Sequence, residues 1–186
     1  MDDTVSRCKM KKIDEGIYAH ERFAVPTPSH RRSLKFMAES FFEVARNILK
    51  RDGHHAYFAI LVSRLGAQPL TLHIKNSEDK QRIMARVAKE AEDLNADVVM
   101  LISEVWYADF DPHFPDRPAS EAPVKTEMLF LSAISKSGEA VYLSATFEKR
   151  DGKVWIGETK QMDASRIASP VFDPLRKMWI WKDRQN

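Results

Sequence analysis

The stretch VVMLISEVWY at residues 98–107 restricts the fold more than any other part of the chain. Side chains of a strand alternate between its two faces, so Val98, Met100, Ile102, Glu104 and Trp106 share one face. Val99, Leu101, Ser103, Val105 and Tyr107 share the other. A strand that is apolar on both faces belongs at the centre of a sheet rather than at its edge. One residue breaks the pattern, because a carboxylate at Glu104 is costly in such a strand unless it is paired or neutral.

The flanking sequence supplies the partners of this strand. Met37, Phe41, Val44, Ala45, Ile48 and Leu49 recur at spacings of three and four, which predicts a one-sided helix over 33–51. Asp52-Gly53 stops it, with the glycine as a left-handed cap. AYFAILVS at 56–63 is short, aromatic and β-branched, and Leu70, Leu72 and Ile74 alternate with polar residues, predicting a hairpin around Gly66. Ile83, Met84, Val87, Ala88, Ala91 and Leu94 predict a second helix over 78–94. Asn76 or Ser77 can cap it, and Glu78 and Asp79 sit at the positive end of its dipole.

Downstream of the central strand lies a fifteen-residue loop, Asp109 to Pro123, that holds four of the nine prolines. Strands are predicted at 124–135, 140–148 and 154–161, joined by turns at 136–139 and at Asp151-Gly152. The order is α-β-β-α-β-β-β-β. It specifies an α+β fold: a mostly antiparallel sheet of about six strands with two amphipathic helices on one face. Asp173-Pro174 then marks a short C-terminal helix that turns Leu175, Met178 and Trp179 inward, with an edge strand over Trp179, Ile180 and Trp181 as the alternative.

Three segments are expected: an N-terminal arm at 1–30, a single α+β domain at 31–162, and a tail at 163–186 carrying Trp179 and Trp181. That tail packs on the domain or on another subunit. The composition, 44% hydrophobic and 30% charged, is that of a folded domain. The net charge is +2, the remainder of basic ends around a centre, 54–162, with three more acidic than basic residues. A dedicated nucleic-acid binder needs a denser basic face, so only the basic arms, Arg7 to Lys12 and His30 to Lys35, are candidates for such contact.

Cys8 is the single cysteine, which leaves no internal disulfide and suits a reducing compartment. The first sixteen residues lack the apolar run of a secretory signal. No apolar stretch reaches the roughly 18 to 20 residues of a membrane helix. A soluble chain of the cytoplasm is expected.

Two kinds of chemistry compete for Glu104. It is either a general base or metal ligand at the end of a central strand, or it reaches the rim of the sheet and pairs with an arginine from a helix. Asp109, Asp111, His113 and Asp116 follow within eight residues, and carboxylates with an imidazole suit magnesium, manganese or zinc. The spacing matches neither a calcium loop nor a zincin helix, and aspartates among prolines also cap turns. Trp106 and Arg117 flank this segment as candidate ligand-binding residues. Glu158-Thr159-Lys160 resembles only a fragment of a nuclease motif, and the remaining histidines read as solvated or structural.

With six glycines and no phosphate loop or nucleophile elbow, a backbone cradle for nucleotides is not expected. The favoured expectation is a non-enzymatic binding or protein-interaction module without a cofactor, which takes a protein or small molecule and can self-associate through an edge strand or the Trp-containing tail. The alternative is a metal-assisted hydrolase using a divalent metal, with Glu104 as base and Asp109, Asp111 and His113 as ligands.

Overall fold

The structure is a computed structural model, and it describes residues 10–22, 33–163 and 172–183. Among the described residues, nine strands form one antiparallel sheet: β1 (Lys11–Asp14), β2 (Ile17–Ala19), β3 (Tyr57–Ser63), β4 (Gly66–Leu72), β5 (Val98–Tyr107), β6 (Thr126–Ser135), β7 (Ala140–Arg150), β8 (Lys153–Ile156) and β9 (Lys160–Gln161). Their spatial order is β1-β2-β4-β3-β5-β6-β7-β8, with β9 also on β7. The helices are α1 (Leu34–Asp52), α2 (Ser77–Asp93) and α3 (Asp173–Asp183). An α+β fold with a short C-terminal helix is therefore what this chain adopts.

Local chemistry sets the helix ends where the sequence places them. Ser33 Oγ accepts a hydrogen bond from the Phe36 N–H, and the Gly53 N–H donates to the Leu49 carbonyl with Gly53 at φ 75°. Asn76 Oδ1 likewise accepts from the Asp79 N–H at 2.8 Å.

β5 is central, between β3 and β6. Its residues Val98 to Ile102 are all buried, and they divide by parity between two cores. Val98, Met100 and Ile102 join Ile60, Val62, Leu129, Leu131 and Leu143 beneath Leu34, Ala38, Phe42, Ala45 and Leu49 of α1. Val99 and Leu101 join Ala59, Leu61, Leu70 and Leu72 beneath Ile83, Val87 and Ala91 of α2 and Leu175 and Trp179 of α3. The expectation of both helices on one face is thus corrected: α1 covers one face, and α2 with α3 covers the other. A strand apolar on both faces requires that arrangement, because one helical layer leaves half of it in water.

The strand count also rises from about six to nine. Two of the additional strands, β1 and β2, come from the segment expected to be an arm. They form a hairpin whose β2 pairs with β4, from Ile17 opposite Leu72 to Ala19 opposite Leu70, and Ile17 is fully buried. The third, β9, arises because the strand expected over 154–161 breaks at Gly157, so Glu158 and Thr159 lie between β8 and β9. A Cβ at Gly157 would stand 2.9 Å from Thr146 Oγ1.

Cys8, the basic residues 7, 9 and 30–32, and the Trp181 side chain lie outside the described residues. Trp179 packs back on the domain at 6% exposure. Among the described residues no helix is long and apolar enough to cross a membrane.

Gly16 fixes the arm hairpin to the sheet. It holds φ 77°, its carbonyl accepts from the His73 N–H at 2.7 Å, and a Cβ there would stand 2.8 Å from the His73 carbonyl oxygen. Gly53 has a similar φ of 75° but nothing within 4 Å of its Cβ position. In urea denaturation, Gly53→Ala should cost about 1 kcal/mol for the left-handed backbone alone. Gly16→Ala should cost about 2 kcal/mol or more, because backbone must also move. Equal losses would show that the Gly16 contact does not hold the hairpin.

Candidate functional site

Beyond Ile102 the central strand leaves the core. Exposure rises along Ser103 to Tyr107, reaching 44% at Trp106 and 43% at Tyr107. This outer half of β5 pairs with β6 as far as Tyr107 opposite Thr126, and the Pro-rich loop closes the end.

Glu104 stays on the α1 face, and its carboxylate is held from two sides. Oε1 accepts the His55 backbone N–H at 2.5 Å, and Oε2 receives the Lys149 ammonium at 3.3 Å. Its cationic partner is a lysine of β7, not an arginine of a helix. The carboxylate therefore ties the α1–β3 connection to β5 and β7.

His55 is 7% exposed and packs edge-on against Phe58, which His20 also approaches. Its Nδ1 lies 2.6 Å from the Ala56 carbonyl oxygen, which can only accept, so Nδ1 carries the proton. Burial pushes the imidazole below its ordinary value, against the opposing pulls of that hydrogen bond and of the Glu104 charge. Burial lowers His20 as well, whose Nε2 is 2.6 Å from Thr71 Oγ1.

The loop residues are engaged one by one. Asp109 accepts from the Tyr107 hydroxyl at 3.1 Å. Asp111 Oδ1 accepts the backbone N–H of His113 at 2.9 Å, its carbonyl accepts the Phe114 N–H, and its Oδ2 faces Arg117 at 3.8 Å. His113 and Asp116 are exposed. Asp111 thus works as a turn cap, and His113 meets it through the backbone rather than the imidazole. Among the described residues no three His, Cys, Asp or Glu side chains stand together where one ion could be held.

What the loop does assemble is an apolar surface. Phe110 is 75% exposed, Phe114 54% and Val124 82%. The Arg117 guanidinium lies 3.9 Å from the centre of the Phe114 ring, a cation–π contact. Phe110, Phe114, Pro115, Arg117, Pro123 and Val124 line a pocket of about 330 Å³. Trp106 lines a different one, of about 360 Å³, with Lys125, Phe147 and Lys149, and the Lys125 ammonium sits 4.9 Å from its ring. Trp106 and Arg117 therefore do not share a pocket. Sequence reasoning missed Phe110, Phe114, Lys125 and Lys149; aromatic residues placed among prolines were the available signal for the first two.

A protein-family model described as bacteriophage lambda protein ea47 matches residues 6–186. No curated protein and no solved structure matches the chain.

Two outcomes check the roles of Glu104 and His55. Glu104→Ala strips a backbone N–H of its acceptor and should cost about 2 kcal/mol, whereas Lys149→Met removes only a half-exposed ion pair and should cost about 1 kcal/mol or less. Equal costs in urea denaturation would assign the role of Glu104 to the ion pair. For His55, the folded state disfavours the protonated ring, so its contribution is complete above the ordinary value of 6.5 and is lost as pH falls below it. The melting temperature should decline from pH 7 toward pH 5, and His55→Gln should flatten that decline. An unchanged slope in the variant would show that His55 is not the group responsible.

Proposed function

The chain belongs to the family of bacteriophage lambda protein ea47, and from that premise and the surface at the tip of β5 we propose that it is a binding module, not an enzyme, which engages a protein partner through the end of the β5–β6 ladder. The observation that carries this is the exposed apolar side chains at this end of the sheet: Phe110, Phe114 and Val124 around one pocket with Arg117, and Trp106 in a second beside Lys125. Aromatic residues and arginine are the side chains that most often dominate protein interfaces, since they bury large area with few rotatable bonds.

Two features support the choice over hydrolysis. Glu104 is occupied by a backbone donor and an ammonium, so its oxygens are committed to structure. The loop carboxylates cap turns and hold neighbours one at a time, which gives the loop a defined shape in place of a metal cage. Consecutive turns from Asp111 to Phe114 and from Phe114 to Arg117 fix the aromatic residues before any partner arrives. Such preorganisation reduces the ordering cost of association. A reducing compartment, the cytoplasm, suits the lone cysteine.

A photo-crosslinking residue at position 110, with position 89 on the exposed side of α2 as control, tests this in cells that express the protein. A discrete protein adduct should form at 110 and not at 89. Phe110→Ser with Phe114→Ser should weaken that partner's binding at least about tenfold. Their exposure means that the melting temperature should stay unchanged. No adduct at 110, the same adducts at both positions, or full binding by the double variant would overturn the proposal.

A further inference from the structure

The two edges of the sheet differ in kind. β1 carries Lys11, Lys12 and Asp14, charges that discourage a further strand. β8 at the opposite edge reads Lys-Val-Trp-Ile, and Trp155 stands 65% exposed. A sheet edge of this composition is open to another strand.

The backbone of β8 shows which residues would accept one. Asp151 and Gly152 form a two-residue turn with φ 51° and 72°, so Arg150 and Lys153 are the hydrogen-bonded pair that closes the hairpin. Bonded and non-bonded pairs alternate from there, which makes Glu148 and Trp155 the next bonded pair. The Gly157 N–H donates to the Thr146 carbonyl at 2.8 Å and continues the alternation. The N–H and C=O groups of Val154 and Ile156 therefore point away from β7, toward an edge that no strand covers among the described residues.

We propose that this edge pairs with the same edge of a second copy, antiparallel, about a two-fold axis at Trp155. A second copy fits because the register is self-complementary. With the axis at Trp155, Val154 of each copy meets Ile156 of the other, so the outward backbone groups of both residues bond across the junction. Both side chains are partly buried on the α1 face and would extend that core from one copy to the next. Trp155 meets Trp155 as a non-bonded pair, the position at which facing side chains lie closest. Lys153 falls opposite Gly157, which separates the two like charges. Moving the axis to Val154 would set Ile156 opposite Gly152 and part the indoles.

The five positions of this ladder, Lys153 to Gly157, bury less than the roughly 1,200 Å² of a standard interface. The dimer is accordingly weak and reversible, and it is independent of the loop's partner.

Sedimentation equilibrium of the full chain, from micromolar to millimolar, is the first test. The wild type should move from one chain to two across that range, and Trp155→Lys, which changes an exposed side chain, should remain a monomer with an unchanged melting temperature. In a Cys8→Ser background, mild oxidation should link Trp155→Cys into a covalent dimer. Lys153→Cys should not link, because its two copies stand about 13 Å apart at roughly 3.3 Å per residue. A wild type that stays monomeric, as it would if the edge serves a foreign strand, overturns the proposal. So does a Trp155→Lys variant that still dimerises, or equal cross-linking at both positions.

Discussion

The structure depends on the burial of one strand from both sides. Val98 to Ile102 of β5 are apolar in both parities, and burying them takes α1 on one face and α2 with α3 on the other. Each fully buried aliphatic side chain in such a position contributes roughly 1.5 to 3 kcal/mol relative to exposure. Losing either layer would expose two or three of them at once. The sheet order places β3 and β6 on either side of this strand, so the remaining strands are assembled outward from it.

That requirement ends abruptly at Ser103. From there the same strand projects toward solvent, and its side chains form surface rather than core. Glu104 sits at the boundary, where water can still reach the carboxylate and where a backbone N–H and a lysine satisfy it. A carboxylate two residues earlier would lie in the α1-side core without such partners and would cost several kcal/mol. The position of Glu104 thus marks where burial stops constraining the strand and where its side chains begin to reach solvent.

Much of the fold is legible in the sequence, and the reason is locality. The ends of α1 and α2 depend on Ser33, Gly53 and Asn76, whose side chains or φ angles act within four residues of themselves. The hairpin turns rest on equally local chemistry. The layering is less legible, because the side of the sheet on which a helix lands depends on the path of its connections. The double-sided pattern of β5 did contain the information. β1 and β2 are four and three residues long, too short for a periodicity, and they are defined by a glycine turn seated against His73. At the candidate site, Glu104 stands out by contrast with its neighbours, but its partner Lys149 is 45 residues away and has no local signature. The loop carboxylates drew a metal reading from spacing alone, and their directions, set by turns, point them at separate partners.

Native-state hydrogen exchange, followed residue by residue, tests most directly whether one strand supplies both the keystone of the fold and its exposed tip. Amides of Val99 to Ile102 should exchange only through global unfolding, with the full stability of the chain, while those of Phe110 to Val124 exchange by local opening at far lower free energy. Exchange of Val99 to Ile102 by local opening, or protection of the loop equal to that of the core, would contradict the account.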